Sequence, residues 1–368
     1  MEESMEESME TIRLIEKLAA EHHLSGEEWV RVIDGREEKT EQVLFQLARE
    51  AREPWYGKQV FVRGLIEFTS FCRNDCYYCG LRRSNQKAER YRLTEEEILS
   101  ACEAGYRFGF RTFVLQGGED PYFTDERIVR IVRAIREGWP DCAITLSIGE
   151  REEESYRSFR EAGADRYLLR HETADPQHYG KLHPAELSAE HRQNCLRTLK
   201  KLGYQTGAGF MVGSPYQTAE QLARDMLFLE ELQPEMVGIG PFIPHHGTPF
   251  REEKAGSLAL TCYMLGLTRL LLPSVLLPAT TALGTIHPRG RELGMEAGAN
   301  VVMPNLSPRE VREKYLLYDH KLCTGTEAAE SLDKLKESMR QIGYEVVTGR
   351  GDHASRAIRQ EAADQRPL

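Results

Sequence analysis

The chain has 368 residues, 40% hydrophobic and 29% charged, enough to bury a large core in one or two domains and too apolar for a disordered chain. Its formal net charge of -10 disfavours nonspecific binding to nucleic acid or anionic lipid, although the local basic cluster LRRSNQKAERYR leaves a small patch open. No window approaches the roughly 18 uninterrupted apolar residues of a membrane helix, and the acidic start MEESMEESME is unlike a secretory signal; a cytoplasmic protein with no membrane or nucleic-acid partner is expected.

The stretches TIRLIEKLAAEHH and TEQVLFQLAREARE carry apolar residues at three-to-four spacing and predict helices before the first strand, with the repeated EESM at the start frayed. Short apolar or β-branched runs then recur, each followed by a charged amphipathic stretch of helix length: VFVRGLIEF (60–68), TFVLQ (112–116), AITLSIG (143–149) and RYLLRHE (166–172). The second half continues with GAGFMVG (207–213), MVGIGPF (236–242), LLPATTAL (276–283) and NVVMP (300–304). Eight βα units predict an α/β fold, a (β/α)8 barrel over residues 57–322, with residues 1–56 capping its bottom and 323–368 forming a C-terminal helix and polar tail. In LTEEEILSACEAGYRFG, Thr94 reads as an N-cap with Glu97 as its capping-box partner, and Gly105 or Gly109 lies near the end. SLDKLKESMRQIGYEV reads as one last helix, and the tail from Gly349 as frayed.

Eight scattered cysteines in a long charge-rich chain favour reduced thiols or metal ligation over a disulfide framework. Three of them, Cys72, Cys76 and Cys79, fall in TSFCRNDCYYCGLRR, the loop after the first strand, where a barrel places its chemistry. Structural zinc wants a fourth ligand, and no second pair lies near. Inert buried cysteine is common singly, less so in a C-x3-C-x2-C cluster flanked by Arg, Asn and Asp. A [4Fe-4S] cluster with one iron left open accounts for three thiolates and no fourth. With Tyr78 just before the last cysteine, the motif resembles the signature of radical S-adenosylmethionine (SAM) enzymes. That resemblance implies a SAM-binding open iron and reductive cleavage of SAM to methionine and a 5′-deoxyadenosyl radical.

The strand ends offer candidate groups for that chemistry. Gly117 and Gly118 in LQGGEDP lack a Cβ and let backbone approach a ligand. Thr145 and Ser147 in TLSIGE share a face; their hydroxyls suit a ligand or the local backbone equally. Arg170 and Glu172 in LLRHETADP also share a face, as SAM-binding groups or as a structural ion pair, and Arg192 in the following helix is a second cation or an ordinary surface arginine. The remaining ends offer Met236, Thr280, Thr281 and Met303 and no carboxylate pair for acid-base work, which suits radical chemistry on a bulky, weakly polar substrate. His245 and His246 are adjacent, and on an extended chain adjacent side chains point apart, so loop roles are expected in place of metal ligation.

The strings LQGGEDPY, LSIGE, RYLLRHETADP, VGIGPFIPH, LPATTALGTI and ANVVMPN resemble the HydE family of [FeFe]-hydrogenase maturases from about residue 58 to about residue 322. The resemblance implies cluster ligands at Cys72, Cys76 and Cys79, and SAM contacts at Tyr78, Gly117, Gly118, Glu119, Thr145, Ser147, Arg170, Glu172, Arg192 and Met236. It implies a substrate cavity lined by Arg63, Gln116, Thr280, Thr281, Met303, Tyr315 and Tyr318. It further implies an iron-cysteine substrate bearing CO and cyanide from the maturase HydG, delivery to the scaffold HydF, and an electron donor such as ferredoxin or flavodoxin. Methylornithine synthase and biotin synthase share the loop and the GGED style, and a non-catalytic iron-sulfur carrier is the reading from another class. Biotin synthase needs cysteines on its strands for an auxiliary cluster, whereas Cys102, Cys195 and Cys262 fall in predicted helices and Cys142 at a strand entrance. Some HydE proteins hold an accessory cluster on a C-terminal C-x7-C-x2-C pattern; here Cys323 is followed by Ser331 and Lys334 at the matching positions, so a single cluster is expected.

Overall fold

The computed structural model describes residues 2–323 and 328–356. Three helices come first: α1 (Glu2–Glu21), α2 (Gly26–Asp34) and α3 (Glu38–Tyr56). Strands β1 (Gln59–Val62) and β2 (Gly64–Thr69) follow in one line, interrupted at Arg63. The chain then alternates through α4 (Glu95–Arg107), β3 (Thr112–Gly117), α5 (Asp125–Gly138), β4 (Ala143–Ser147), α6 (Glu153–Ala162), β5 (Arg166–Leu168), α7 (Pro176–Leu182), α8 (Ala189–Lys201) and β6 (Gln205–Ala208). Next come β7 (Met211–Val212), α9 (Ala219–Leu232), β8 (Met236–Val237), β9 (Gly240–Pro241), α10 (Leu258–Leu271), α11 (Thr281–Ile286), α12 (Gly290–Glu296), β10 (Val301–Val302), α13 (Arg309–Arg312), α14 (Leu332–Gln341) and β11 (Glu345–Val347). The predicted capping box starts α4: Thr94 accepts from Glu97 N, and Glu97 accepts from Thr94 N.

All pairings among these strands are parallel, and β2, β3, β4, β5, β6 and β8 neighbour one another in that order. Single bridges continue the ring from Met236 to Leu276, from Pro278 to Val301 and from Asn305 to Leu65, closing a barrel of eight strand positions. The seventh position corrects the expectation of a strand over 276–283. Pro278 has no N–H for a ladder, and Thr280 is the N-cap of α11, so only the first residues of that run are extended. Gly209 separates β6 from β7: a Cβ there would lie 2.0 Å from the Gly238 carbonyl oxygen, in backbone at φ 150°.

Register places Leu65, Val114, Thr145 and Arg166 in one row across β2 to β5, and Glu67, Gln116 and Ser147 in the row above. Branched apolar side chains fill most barrels of this kind; here the rows are strongly polar. Below them the barrel floor is closed by residues the sequence reading left frayed. Fully buried Arg166 donates to Thr112 Oγ1 (3.2 Å), to the Arg350 carbonyl (2.6 Å) and to Asp352 Oδ1 (2.8 Å), and Gln205 Nε2 donates to the same Asp352 oxygen (2.7 Å). The tail from Gly349 is therefore a plug as far as residue 356, because an otherwise unpaired buried guanidinium holds it; residues 357–368 lie outside the described part.

Three other expectations change. The EESM repeat belongs to α1, which already buries Ser8 and Thr11. The helices α1 and α2 lie along α9 and α10 on the flank, with Gly26 against Leu227, while α3 also reaches the lower strand ends: Arg52 donates to the carbonyls of Ala299 (2.6 Å) and Gln59 (3.2 Å), and the Tyr56 hydroxyl accepts from Ala354 N (3.1 Å). The last predicted helix stops at Gln341; Gly343 at φ 81° turns the chain, and β11 pairs in parallel with β1. Among the described residues no helix is long and apolar enough to cross a membrane.

Candidate active site

The loop after β2 is shaped by the same basic cluster that looked like a surface patch. Arg82 grips Asp75 through Nε and Nη2 (2.8 and 2.7 Å), and this pairing holds the Asp75 carboxyl well below the usual carboxylate range. Arg90 donates to the carbonyls of Ser70, Leu81, Arg82 and Asn85, tying both ends of the loop together. Arg92 lies 3.8 Å over the Phe71 ring and pairs with Asp120 through two nitrogens (2.6 and 2.9 Å). A guanidinium suits this work because its fixed fork of donors can satisfy several carbonyls at once.

Within this frame Cys72, Cys76 and Cys79 are half-buried free thiols. Burial pushes Cys79 up to about 12, with Cys72 adding to it, and pushes Cys76 well above its ordinary value, with Cys79 and Cys72 adding. Three converging thiols that oppose one another's ionisation fit a cationic iron-sulfur group, since each bond to iron removes a proton and the repulsion with it. Gly117 and Gly118 back directly onto this loop. A Cβ on Gly118 would lie 2.2 Å from the Phe71 carbonyl oxygen and 2.7 Å from Cys72 Cβ, and one on Gly117 would lie 2.6 Å from Thr69 Cγ2. Loop packing, as much as any ligand, demands the glycines.

Around the rim, Arg170 and Glu172 meet at 3.0 Å, yet Arg170 Nε and Nη2 and Glu172 Oε2 are buried without a well-formed hydrogen bond. Glu172 also takes a left-handed φ of 65°. Arg192 is buried, donates from Nε to Glu150 and from Nη1 to the Arg170 carbonyl (3.2 Å), and so braces Arg170 from behind. Thr145 Oγ1 is buried and unpartnered, and Ser147 sits half-buried two residues above it. Two residues expected at SAM also hold protein partners. The Glu119 carboxylate accepts from Arg73 Nε (3.0 Å) and Glu150 N (2.9 Å), so it locks two loops together. Met236 lies lower in the barrel, its Sδ accepting from Arg63 Nη1 (3.0 Å).

That places Met236 with the cavity residues. Arg63 is fully buried in the barrel with Nε and Nη2 unpartnered, and burial, with Arg166 adding, holds its guanidinium well below its ordinary pKa. Thr280 Oγ1 is also unpartnered and buried; Met303 packs among Met236, Leu276 and Val301; Gln116 hydrogen-bonds buried Tyr315; Thr281 opens α11, and Tyr318 is half-buried nearby in sequence.

Two further groups at the site carry little signal in the sequence. Tyr78 donates its hydroxyl to His183 Nε2 (3.2 Å), and His183 stacks on Tyr179 at 3.8 Å, making an aromatic wall beside the cysteine loop. His183 Nδ1 faces the Tyr179 carbonyl at 3.0 Å and must donate there; burial, with Arg192 adding, pushes the imidazole down to about 3, so it stays neutral. Tyr179 and His183 stand four apart at short α7, and only that spacing pointed to them. The second group is Glu67, fully buried, which receives Lys321 Nζ and Asn305 Nδ2 (2.8 Å); Lys321 also donates to the Tyr315 carbonyl (3.0 Å) and lies 4.9 Å from its ring. A carboxylate inside the apolar run GLIEF was the available signal.

Residues 66–229 match the model of the radical SAM superfamily. Over 282 residues, 77% of this chain and 80% of the relative, the sequence is 52% identical to the [FeFe] hydrogenase maturase subunit HydE of Thermotoga maritima. It is 30% identical over 331 residues to the 3-methylornithine synthase of Methanosarcina acetivorans, covering 89% of this chain and 92% of that one. The crystal structure of methylornithine synthase (PylB) superposes with a TM-score of 0.80 at 27% identity, covering 91% of this chain and 97% of that one.

Proposed function

Because this chain belongs to the HydE family of radical SAM maturases, it is an enzyme of [FeFe]-hydrogenase H-cluster assembly whose superfamily cofactors are a [4Fe-4S] cluster and SAM, and on that premise we propose its substrate and the parts its residues play. Cys72, Cys76 and Cys79 hold three irons and leave the fourth for SAM. A cluster held by these three thiolates would supply the one electron for reductive cleavage of SAM. Arg170, braced by Arg192 and paired with Glu172, turns its guanidinium to the SAM carboxylate, and Glu172 accepts from the ribose hydroxyls. Tyr78, His183 and Tyr179 wall the adenine, and the Thr145 hydroxyl and the Gly117–Gly118 backbone complete the seat.

The substrate proposed is a mononuclear iron-cysteine complex bearing CO and cyanide, made by HydG. Iron(II) with a doubly ionised cysteine and one cyanide is anionic, and the observation that carries the reading is Arg63: a fully buried guanidinium with two unpartnered nitrogens deep in the barrel. Thr280, Thr281, Gln116, Met236, Met303, Tyr315 and Tyr318 orient the complex and exclude water, so that the radical meets the cysteine sulfur before solvent. The activated iron dicarbonyl cyanide unit passes to HydF, and a cytoplasmic ferredoxin or flavodoxin supplies the electron. With Ser331 and Lys334 following Cys323, the chain carries one cluster.

Rearrangement of an amino acid, as the likeness to methylornithine synthase suggests, needs an anion for the substrate amine; the interior carboxylate Glu67 is already taken by Lys321 and Asn305. The test is anaerobic incubation with SAM, a reductant and a synthetic iron-carbonyl-cyanide cysteine complex. The expected result is methionine released in step with loss of the complex, with the 5′-deoxyadenosyl group recovered on the cysteine sulfur. No SAM cleavage would make the protein a carrier, and cleavage coupled only to an amino acid would move it to the rearrangement reading.

A further inference from the structure

His245 and His246 do not point apart. The chain turns at His246–Gly247, with Thr248 N donating to the His245 carbonyl (3.0 Å), and the two imidazoles stack at 4.4 Å with planes 23° apart. Both face Asp319, which arrives on the segment after α13. Gly247 N donates to His245 Nδ1 (2.9 Å), leaving Nε2 as the available nitrogen, 3.8 Å from Asp319 Oδ1. His246 Nδ1 is 2.7 Å from the same oxygen, while Oδ2 accepts from His246 N (2.8 Å). One nitrogen from each ring and a carboxylate oxygen thus lie within 4.8 Å of one another.

We propose that His245, His246 and Asp319 form a binding site for a divalent transition-metal ion, zinc or ferrous iron, separate from the cysteine loop. Bonds of about 2.0–2.2 Å from two imidazoles and a carboxylate to a shared ion set the donors roughly 3.3 Å apart, so the His246–Asp319 pair must open slightly and His245 Nε2 must move in. Two histidines and one carboxylate with open positions suit these ions and not magnesium or calcium. His245 is buried and gives the site a fixed wall, whereas the His246 side chain is 61% exposed and gives the ion its way in.

The ion would staple a strap. Leu317 O accepts from Gly80 N (2.8 Å), one residue beyond Cys79, and Asp319 N donates to the Pro244 carbonyl (3.1 Å). Tyr315 and Tyr318 ride on the same strap. Metal binding here fixes the strap to the turn after β9 without touching the reacting groups.

The test dialyses anaerobically reconstituted full-length protein against Zn2+ and counts metals by mass spectrometry. About one zinc per chain is expected beyond the cluster iron. His246→Ala and Asp319→Asn should keep their iron and weaken zinc uptake roughly tenfold or more, and His246→Cys, which restores a donor, should recover it. Zinc should slow amide exchange over residues 313–323 in the natural protein and not in Asp319→Asn. Equal zinc uptake by all the proteins, or none by the natural one, overturns the site.

Discussion

Glu172 holds a left-handed backbone that costs a non-glycine residue on the order of 1 kcal/mol, kept in place by its N–H to the Gly209 carbonyl (3.0 Å) and its bridge to Phe210. Strain beyond the end of β5, in the ion-pair partner of Arg170, marks a residue kept for its side chain. Glu172→Gln should therefore weaken SAM binding roughly tenfold. Unchanged affinity would leave the carboxylate a structural partner of Arg170. His183 makes a second prediction through pH. Its folded pKa of about 3 lies below the ordinary value of 6.5, so the unfolded chain binds the proton first and stability falls as pH drops through that window. The slope is roughly 1.4 kcal/mol per pH unit for this group alone. Between about pH 6.5 and 5, where most carboxylates are still ionised, His183→Phe should lose stability less steeply than the natural protein; parallel curves would refute a neutral His183. The cysteine triplet was legible because eight consecutive positions carry it. Tyr179 and His183 were not, since their meaning depends on α7 folding back over Tyr78.

At the level of elements, Gly118 is where β3 carries the cysteine loop. Gly118→Ala brings a Cβ to 2.2 Å from the Phe71 carbonyl, a backbone atom that cannot swing aside. The variant should keep its circular dichroism and take up less iron on reconstitution; full iron content would show that the loop yields. Strand recurrence made the barrel readable, because each run is β-branched and bounded by helix caps such as Thr94. What misled the reading was local pattern cut short by a single residue: Pro278 in the seventh run, and Gly343 at φ 81° in the last helix. Arg82, Arg90 and Arg92 misled it differently. Charge clusters in sequence usually mean surface, and only the folded loop reveals that their partners are its own carbonyls and carboxylates.

For the whole molecule the floor matters most. Asp352→Asn leaves Arg166 buried without its anion and should cost about 3 kcal/mol in unfolding experiments, whereas replacing both by apolar residues of similar volume should cost much less. Equal losses in the single and double variants would mean that the pair contributes only packing. Asp352 also sets an acid limit. Arg166 and Arg350 hold its carboxyl below the ordinary value against the opposing effect of burial, so its stabilisation is complete above the unfolded carboxylate pKa and is lost as pH falls below it. Reconstitution should yield about four cluster irons per chain, and about eight, halved by Cys323→Ala, would contradict a single cluster. The plug was illegible beforehand because polar residues near a terminus look solvated until their buried partners are known. Its position also orders events on the ribosome. Arg166 and Asp352 are separated by 186 residues, which translation at ordinary rates takes roughly 10–40 s to supply. For most of that interval the ring itself is unclosed, its last bridge needing Asn305; between Asn305 and Asp352 it can close while the lower mouth is still open. A nascent chain is thus a tube before it is a cup.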